Sequence, residues 1–311
     1  MDLDVVTVGE AMVMFAAQQP GTLDEVTTFT RGTAGADLNV AIGLTRLGLR
    51  VAYVSRLGRD SFGRYLAAAM QREGLDCRHV AFDDVHPTGF MLKSKTDAGD
   101  PQTEYFRRDS AASHLSPADH PRALCAGSRH LHVTGVRVAI SPSARELVFE
   151  MAAEARAARR SVSFDPNLRP SLWPSQQAMV DTLNALAEHS DWIMPGLAEG
   201  RLLTGQASPE GIADHYLERG ASRVVVKLGA AGAYFASAME RGYAPGVSVA
   251  KVVDTVGAGD GFAVGLISGL LEGRSLAEAT ARGNVIGARV VQFPGDSDGL
   301  PTRAELDATR R

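Results

Sequence analysis

Cysteine is nearly absent. The 311 residues hold only Cys77 and Cys125, with no C-x-x-C spacing, which argues against a disulfide scaffold and for a reducing compartment. Charge of one sign is missing too. Against 36 acidic residues stand 32 basic ones, a net charge of -4 with no basic block, so a nucleic-acid partner is not expected. No apolar run approaches the roughly 18 residues of a bilayer span; the longest lies near 263–271, and no membrane partner is expected. The opening Met1-Asp2-Leu3-Asp4-Val5 lacks the basic and apolar regions of a signal peptide, so a cytoplasmic protein is expected. No G-x-x-x-x-G-K-S/T, no G-x-G-x-x-G after a first strand and no G-x-S-x-G around Ser143 occurs, which disfavours P-loop, dinucleotide-binding and serine-hydrolase readings. His130 and His132 share a strand face without a third ligand nearby in sequence and read as core or surface histidines rather than zinc ligands. Internal repeats, low-complexity stretches and linkers are likewise missing.

What is present is a chain with 45% hydrophobic and 22% charged residues, ordinary for a globular protein and long enough for a substantial core. Its most informative stretch is Asp254-Thr255-Val256-Gly257-Ala258-Gly259-Asp260-Gly261-Phe262, small residues directly before an apolar run of helical spacing. Amides at a helix start have no intrahelical acceptor and lie at the positive end of the dipole, so they suit a phosphate. Asp260, one residue further, either complements the dipole or accepts a proton from a hydroxyl that attacks a phosphoryl group held by those amides. The stretch therefore points to phosphoryl transfer to an alcohol.

Elsewhere the pattern predicts a strand over 5–9, a helix over 35–48 ending on Gly48, a helix over 61–74 and a strand over 78–82. Residues 88–95 and 102–108 flank Asp97-Ala98-Gly99-Asp100-Pro101 and read as a hairpin. With 11–33 they would form a small sheet, a lid over about 11–33 and 86–110. From 130 onward strands (130–135, 161–165, 191–195, 223–228) alternate with helices (141–159, 175–189, after 197 and after 209), then short strands from 233 and helices over 258–271 and 276–291. Such alternation argues for an α/β fold with a mostly parallel sheet and helices on both faces.

The loop at 254–260 resembles D-T-x-G-A-G-D, the C-terminal signature of the PfkB, or ribokinase-like, carbohydrate kinases, at every fixed position. The N-terminal signature of that family, G-G-x-x-x-N-x-A-x-x-L-x-x-L-G followed by G-x-D-x-x-G, is matched from Ala34-Gly35 through Asn39, Ala41, Leu44, Leu47 and Gly48, then from Gly58 to Gly63, with Ala34 in place of the first glycine. On residue type alone Asn39 reads as a helix cap or a solvent-facing side chain. The resemblance implies a single kinase domain over 1–311, a ribokinase-like three-layer sandwich carrying the lid. It implies Asp260 as catalytic base, Gly257, Ala258 and Gly259 as anion hole, Gly35 and Asn39 as sugar contacts, and Lys227, Gly229, Gly232 and Asn284 beside the nucleotide. Glu199 would assist Mg2+ through water, although Gly196 stands where many relatives have Asn. The expected cofactors are ATP and Mg2+, with room for a monovalent cation such as K+, and a dimer through the lid is the expected assembly.

Residues 105–115, Tyr-Phe-Arg-Arg-Asp-Ser-Ala-Ala-Ser-His-Leu, resemble a segment of the family's 2-keto-3-deoxygluconate kinases, which implies that Tyr105 and Arg107 hold a sugar acid. Arg169, in Asp165-Pro166-Asn167-Leu168-Arg169 after a buried strand, matches the arginine those kinases place near the transferring phosphate. Guanidinium groups fork onto a carboxylate, which a neutral sugar does not offer. The expectation is an ATP-dependent kinase acting on a primary hydroxyl of a sugar acid. A fructokinase- or ribokinase-type enzyme for a neutral sugar and a non-catalytic ligand-binding regulator remain as alternatives.

Overall fold

The computed structural model describes residues 3–95 and 101–308. The strands are β1 Leu3–Val8, β2 Met12–Pro20, β3 Phe29–Ala34, β4 Val51–Gly58, β5 Val80–Asp83, β6 Phe90–Lys95, β7 Thr103–Phe106, β8 Ser128–Thr134, β9 Ser161–Asp165, β10 Trp192–Ile193, β11 Arg223–Lys227, β12 Gly232–Ser237 and β13 Arg241–Pro245. The α-helices are α1 Ala36–Arg46, α2 Ser61–Arg72, α3 Gly135–Ile140, α4 Pro142–Ala157, α5 Gln176–Glu188, α6 Leu197–Thr204, α7 Pro209–Leu217, α8 Ala258–Leu271, α9 Leu276–Val290 and α10 Arg303–Ala308. None of the described helices is long and apolar enough to cross a membrane.

Nine strands form one sheet in the order β13-β12-β11-β10-β9-β8-β1-β4-β5. From β5 to β11 every pairing is parallel, and β12 and β13 close the edge as antiparallel strands. The central strands β1 and β8 are buried along nearly their whole length because both faces of the sheet are covered. Successive side chains serve opposite layers: Val5 packs with Leu38, Phe262 and Ile286 of α1, α8 and α9, whereas Val6 packs with Leu147, Met151 and Leu183 of α4 and α5. The expected three-layer sandwich is thus observed.

Two differences from the sequence reading have local causes. The strand over 130–135 stops at Thr134, and the chain turns into the short α3 before Ser141 caps α4, its Oγ accepting from the Ala144 N–H at 3.2 Å. The chain between Gly48 and Gly58, for which no element was expected, is the fully paired β4.

The small sheet is real and has the order β3-β2-β6-β7. β2 pairs antiparallel with β3 and parallel with β6, and β6 with β7 makes the expected hairpin. The predicted turn at Asp97-Ala98-Gly99-Asp100 lies outside the described residues. Phe15 of β2, Phe62 of α2 and Phe90 of β6 meet edge-on at 5.6 to 6.2 Å and pin the sheet to the main body. Because β2 follows β1 after only residues 9–11, the small sheet stands at the carboxyl ends of the parallel strands, where ligands bind in such folds.

Candidate active site

A cavity of about 280 Å³ opens between the two sheets. β9 ends on Asp165 and β11 on Lys227, so parallel pairing delivers both to the cavity floor, where Lys227 Nζ donates to Asp165 Oδ2 at 2.7 Å. Burial works against the charge of Lys227, but Asp165 and Glu199 outweigh it and hold its pKa above the ordinary value. Burial raises the pKa of Asp165, and Lys227 offsets part of that rise.

Two helix starts converge on the same space. α8 begins after Gly257, whose φ of 84° only glycine adopts without strain; a Cβ there would also fall 2.4 Å from the Asp296 carbonyl oxygen. α1 begins after Gly35, with φ 133° and the Glu10 carbonyl 2.3 Å from where a Cβ would sit. α1 packs along α8, so Asn39 in the first turn of one meets Asp260 in the first turn of the other, and Asn39 Nδ2 donates to Asp260 Oδ2 at 2.8 Å. Asn39 is therefore neither a cap nor solvent-facing; it is 1% exposed. Burial pushes the Asp260 carboxyl up to about 7, with the Asn39 hydrogen bond and Lys227 pulling down and Asp165 and Asp296 pushing up. A buried carboxylate that titrates near neutrality, at a helix start, suits proton transfer.

The other expected residues divide. Gly35, Asn39, Tyr105, Arg107, Arg169, Glu199, Lys227, Gly257, Gly259 and Asp260 all line the cavity. Ala258 does not; its N–H turns back to the Thr255 carbonyl at 3.3 Å. Gly229, Gly232 and Asn284 lie away from it as well. Asn284 is buried, and its Nδ2 donates to the Ala244 and Pro245 carbonyls at 3.1 and 3.0 Å, tying α9 to β13. Both Glu199 carboxylate oxygens accept backbone N–H groups, from Leu168 at 2.8 Å and Gly196 at 2.7 Å, which fixes the turn after β9. Arg169 is exposed at the rim, with Nη1 on the Leu168 carbonyl at 2.8 Å. His130 and His132 are buried and hydrogen-bonded to Ser161 and Ser163 at 2.7 to 2.8 Å, as core histidines.

Three cavity residues went unnoticed in the sequence. Glu10, 4% exposed, accepts from Arg107 Nε at 2.8 Å and from Ser110. Asp37, pushed up to about 7 by burial, accepts from Thr134 Oγ1 at 3.1 Å. Arg137 is fully buried and donates to the Ala112 carbonyl at 2.6 Å, while its Nε and Nη1 have no partner among the described residues. Each is a charge inside or beside an apolar run, the one local signal that could have marked it.

The family model described as "pfkB family carbohydrate kinase" matches residues 2–303. The chain is 53% identical over 309 residues to the 2-dehydro-3-deoxygluconokinase of Bacillus subtilis (strain 168), covering 98% of this chain and 95% of that one. A solved PfkB protein from Polaromonas sp. JS666 superposes with a TM-score of 0.92 at 53% identity, covering 98% and 99% of the two chains. A fructokinase double mutant from Vibrio cholerae O395, solved with fructose, ADP and a potassium ion, superposes at 0.87 with 29% identity over 99% and 98%.

Proposed function

The chain belongs to the pfkB family of carbohydrate kinases, and on that footing we propose that it transfers the γ-phosphoryl group of ATP to a primary hydroxyl of 2-keto-3-deoxy-D-gluconate, also called 2-dehydro-3-deoxygluconate, giving the 6-phosphate. The observation that carries the chemistry is Asp260, buried, poised near neutrality and placed at the start of α8 beside Asn39. The 53% identity to a 2-dehydro-3-deoxygluconokinase supports the substrate.

In this reading the sugar lies between the small sheet and α1, with Asn39 and the Gly35 backbone at its hydroxyls and Tyr105 and Arg107 at its carboxylate. Asp260 accepts the proton of the attacking hydroxyl. The amides of Gly257 and Gly259 face the phosphoryl group, and Lys227, whose Nζ would lie 3.5 Å from a Cβ on Gly259, adds positive charge on that side. Arg169 reaches in from the rim. Lys227, Gly229, Gly232 and Asn284 define the nucleotide side, with Asn284 acting through the strand end it holds. The carboxylates of Asp165 and Glu199 fit Mg2+ held through water; when bound, the ion neutralises polyphosphate charge. The small sheet acts as the lid of a single kinase domain. Its exposed Tyr105 and Phe106, 42% and 47% exposed, support a dimer through that sheet.

A second reading rests on the Arg107–Glu10 ion pair. An arginine already matched by a buried carboxylate has less charge to offer an acid, which favours a neutral sugar. A kinase assay across 2-keto-3-deoxygluconate, its galactonate epimer, gluconate, fructose and ribose decides. Highest kcat/KM on a 2-keto-3-deoxy acid supports the proposal, and preference for fructose or ribose overturns it.

A further inference from the structure

Lys93 breaks the apolar run of β6 and is 2% exposed, and its stem leaves the small sheet for the phosphate loop of the main body. Its Nζ donates to Asp296 Oδ1 at 2.7 Å, pairs with Asp254 Oδ2 and lies 3.5 Å from the Pro294 carbonyl oxygen. These oxygens come from the two segments that shape the anion loop. Asp254 opens the loop, its Oδ1 accepting the Val256 N–H at 3.0 Å. Asp296 closes it from behind, its carbonyl packed against Gly257. Without a cation between them, two buried carboxylates would repel and the loop would part from its support.

The family resemblance leaves room for a monovalent cation, and the related fructokinase was solved with potassium. Potassium and an ammonium group carry the same charge and are of similar size, and both take carboxylate and carbonyl oxygens. One oxygen cage does not hold both. Here a side-chain ammonium already occupies the place between the two acids beside the loop, so the residues present do not fit a bound K+ there.

We propose that Lys93 is a positioning residue that does the work of a monovalent cation, holding 254–260 against 294–296 so that Gly257, Gly259 and Asp260 face the phosphoryl group, and that turnover needs no K+. The proposal rests on the kinase reading above.

The test begins with the unaltered protein. Turnover and melting midpoint are compared in potassium, sodium and choline chloride at matched ionic strength, and equal values in all three are expected. Lys93→Met, which keeps length without charge, should lower kcat about 10²-fold through misplacement of the loop, with little change in the sugar KM. Lys93→Ala opens the cage onto the neighbouring groove lined by Gln18, Lys95, Asp254 and Asp296. For that variant, potassium or ammonium should restore turnover saturably and raise the melting midpoint, while choline, too large, does neither. Potassium-dependent turnover of the unaltered protein would overturn the proposal. So would Lys93→Ala turnover at the original rate, or a folded Lys93→Ala protein whose lost activity and melting midpoint no small cation moves. The melting comparison holds whatever sugar is used, so a wrong substrate assignment does not decide it.

Discussion

Replacing Asp260 by Asn tests the chemistry with the smallest change of shape. The amide oxygen still accepts from Asn39 Nδ2, now at 2.8 Å from Asp260 Oδ2, so Asp260→Asn keeps the α1–α8 contact and removes only the proton acceptor. General-base assistance is worth about 10² to 10⁴ in rate, or about 3 to 5 kcal/mol of barrier. A loss of kcat in that range is expected, with ATP binding retained. Stability should move the other way. The folded pKa is raised from 3.8 to about 7, so the folded chain holds a proton that the unfolded chain releases, and stability present at low pH is lost as pH rises through about 7. At roughly 1.4 kcal/mol per unit the buried charge costs of order 4 kcal/mol above neutrality. Asp260→Asn removes that cost, so it should melt higher than the parent at pH 8 and alike near pH 4. A coupled kinase assay and melting curves at the two pH values read both effects. Turnover within a few-fold of the parent refutes the base; equal melting at pH 8 refutes the buried, uncompensated carboxylate.

For the parent protein kcat/KM should rise with pH through about 7 as Asp260 loses its proton. Asn39→Ala removes the hydrogen bond that pulls this value down, so the limb of the pH–rate profile should shift to higher pH; an unshifted limb would mean that the contact at 2.8 Å does not tune the base. Arg107→Ala should raise KM for the sugar acid about 10- to 100-fold, the range of a charged hydrogen bond at about 1.5 to 3 kcal/mol. It should also destabilise the chain by leaving Glu10 buried without its partner, and an unchanged KM in steady-state kinetics would remove the acid reading. Gly257→Ala forces a side chain into φ 84° and 2.4 Å from the Asp296 carbonyl, so kcat should fall with sugar binding, read by calorimetry, preserved; full activity would show that the loop adapts.

Much of the architecture was legible because it is written in short range: parallel strands as apolar runs, small residues before α8, and the hairpin of β6 and β7. Spacing alone was enough to expect a phosphate at the loop containing Gly257 and Asp260. Asn39 could not, because its meaning depends on a partner 221 residues away, supplied by the packing of α1 on α8. Glu10, Lys93 and Arg137 were passed over for a related reason. A lone charge in an apolar run gives no spacing to match, and its partner (Arg107 for Glu10, Asp296 for Lys93) is set by how the small sheet sits over the main one. Asn284, expected beside the nucleotide, holds β13 through the Ala244 and Pro245 carbonyls, a contact that no spacing in the sequence announces. β4 was missed because nothing between Gly48 and the Gly58 motif punctuates it.

Two acids of the cavity, Asp260 and Asp37, are pushed up to about 7 by burial, and what sets Asp260 apart is its place in the loop at the start of α8. Lys227 is committed to Asp165 at 2.7 Å, and Lys93 to Asp296 and Asp254. Each lysine offsets part of the rise that burial imposes on its partner carboxylate and is itself held charged, its pKa raised despite burial. Asp260, equally buried, receives a neutral donor instead, the amide of Asn39. A lysine in direct contact with Asp260 would pull its pKa down further than the amide does, whereas burial with no donor would leave it higher. An amide lies between those extremes, and a carboxyl near 7 is the result.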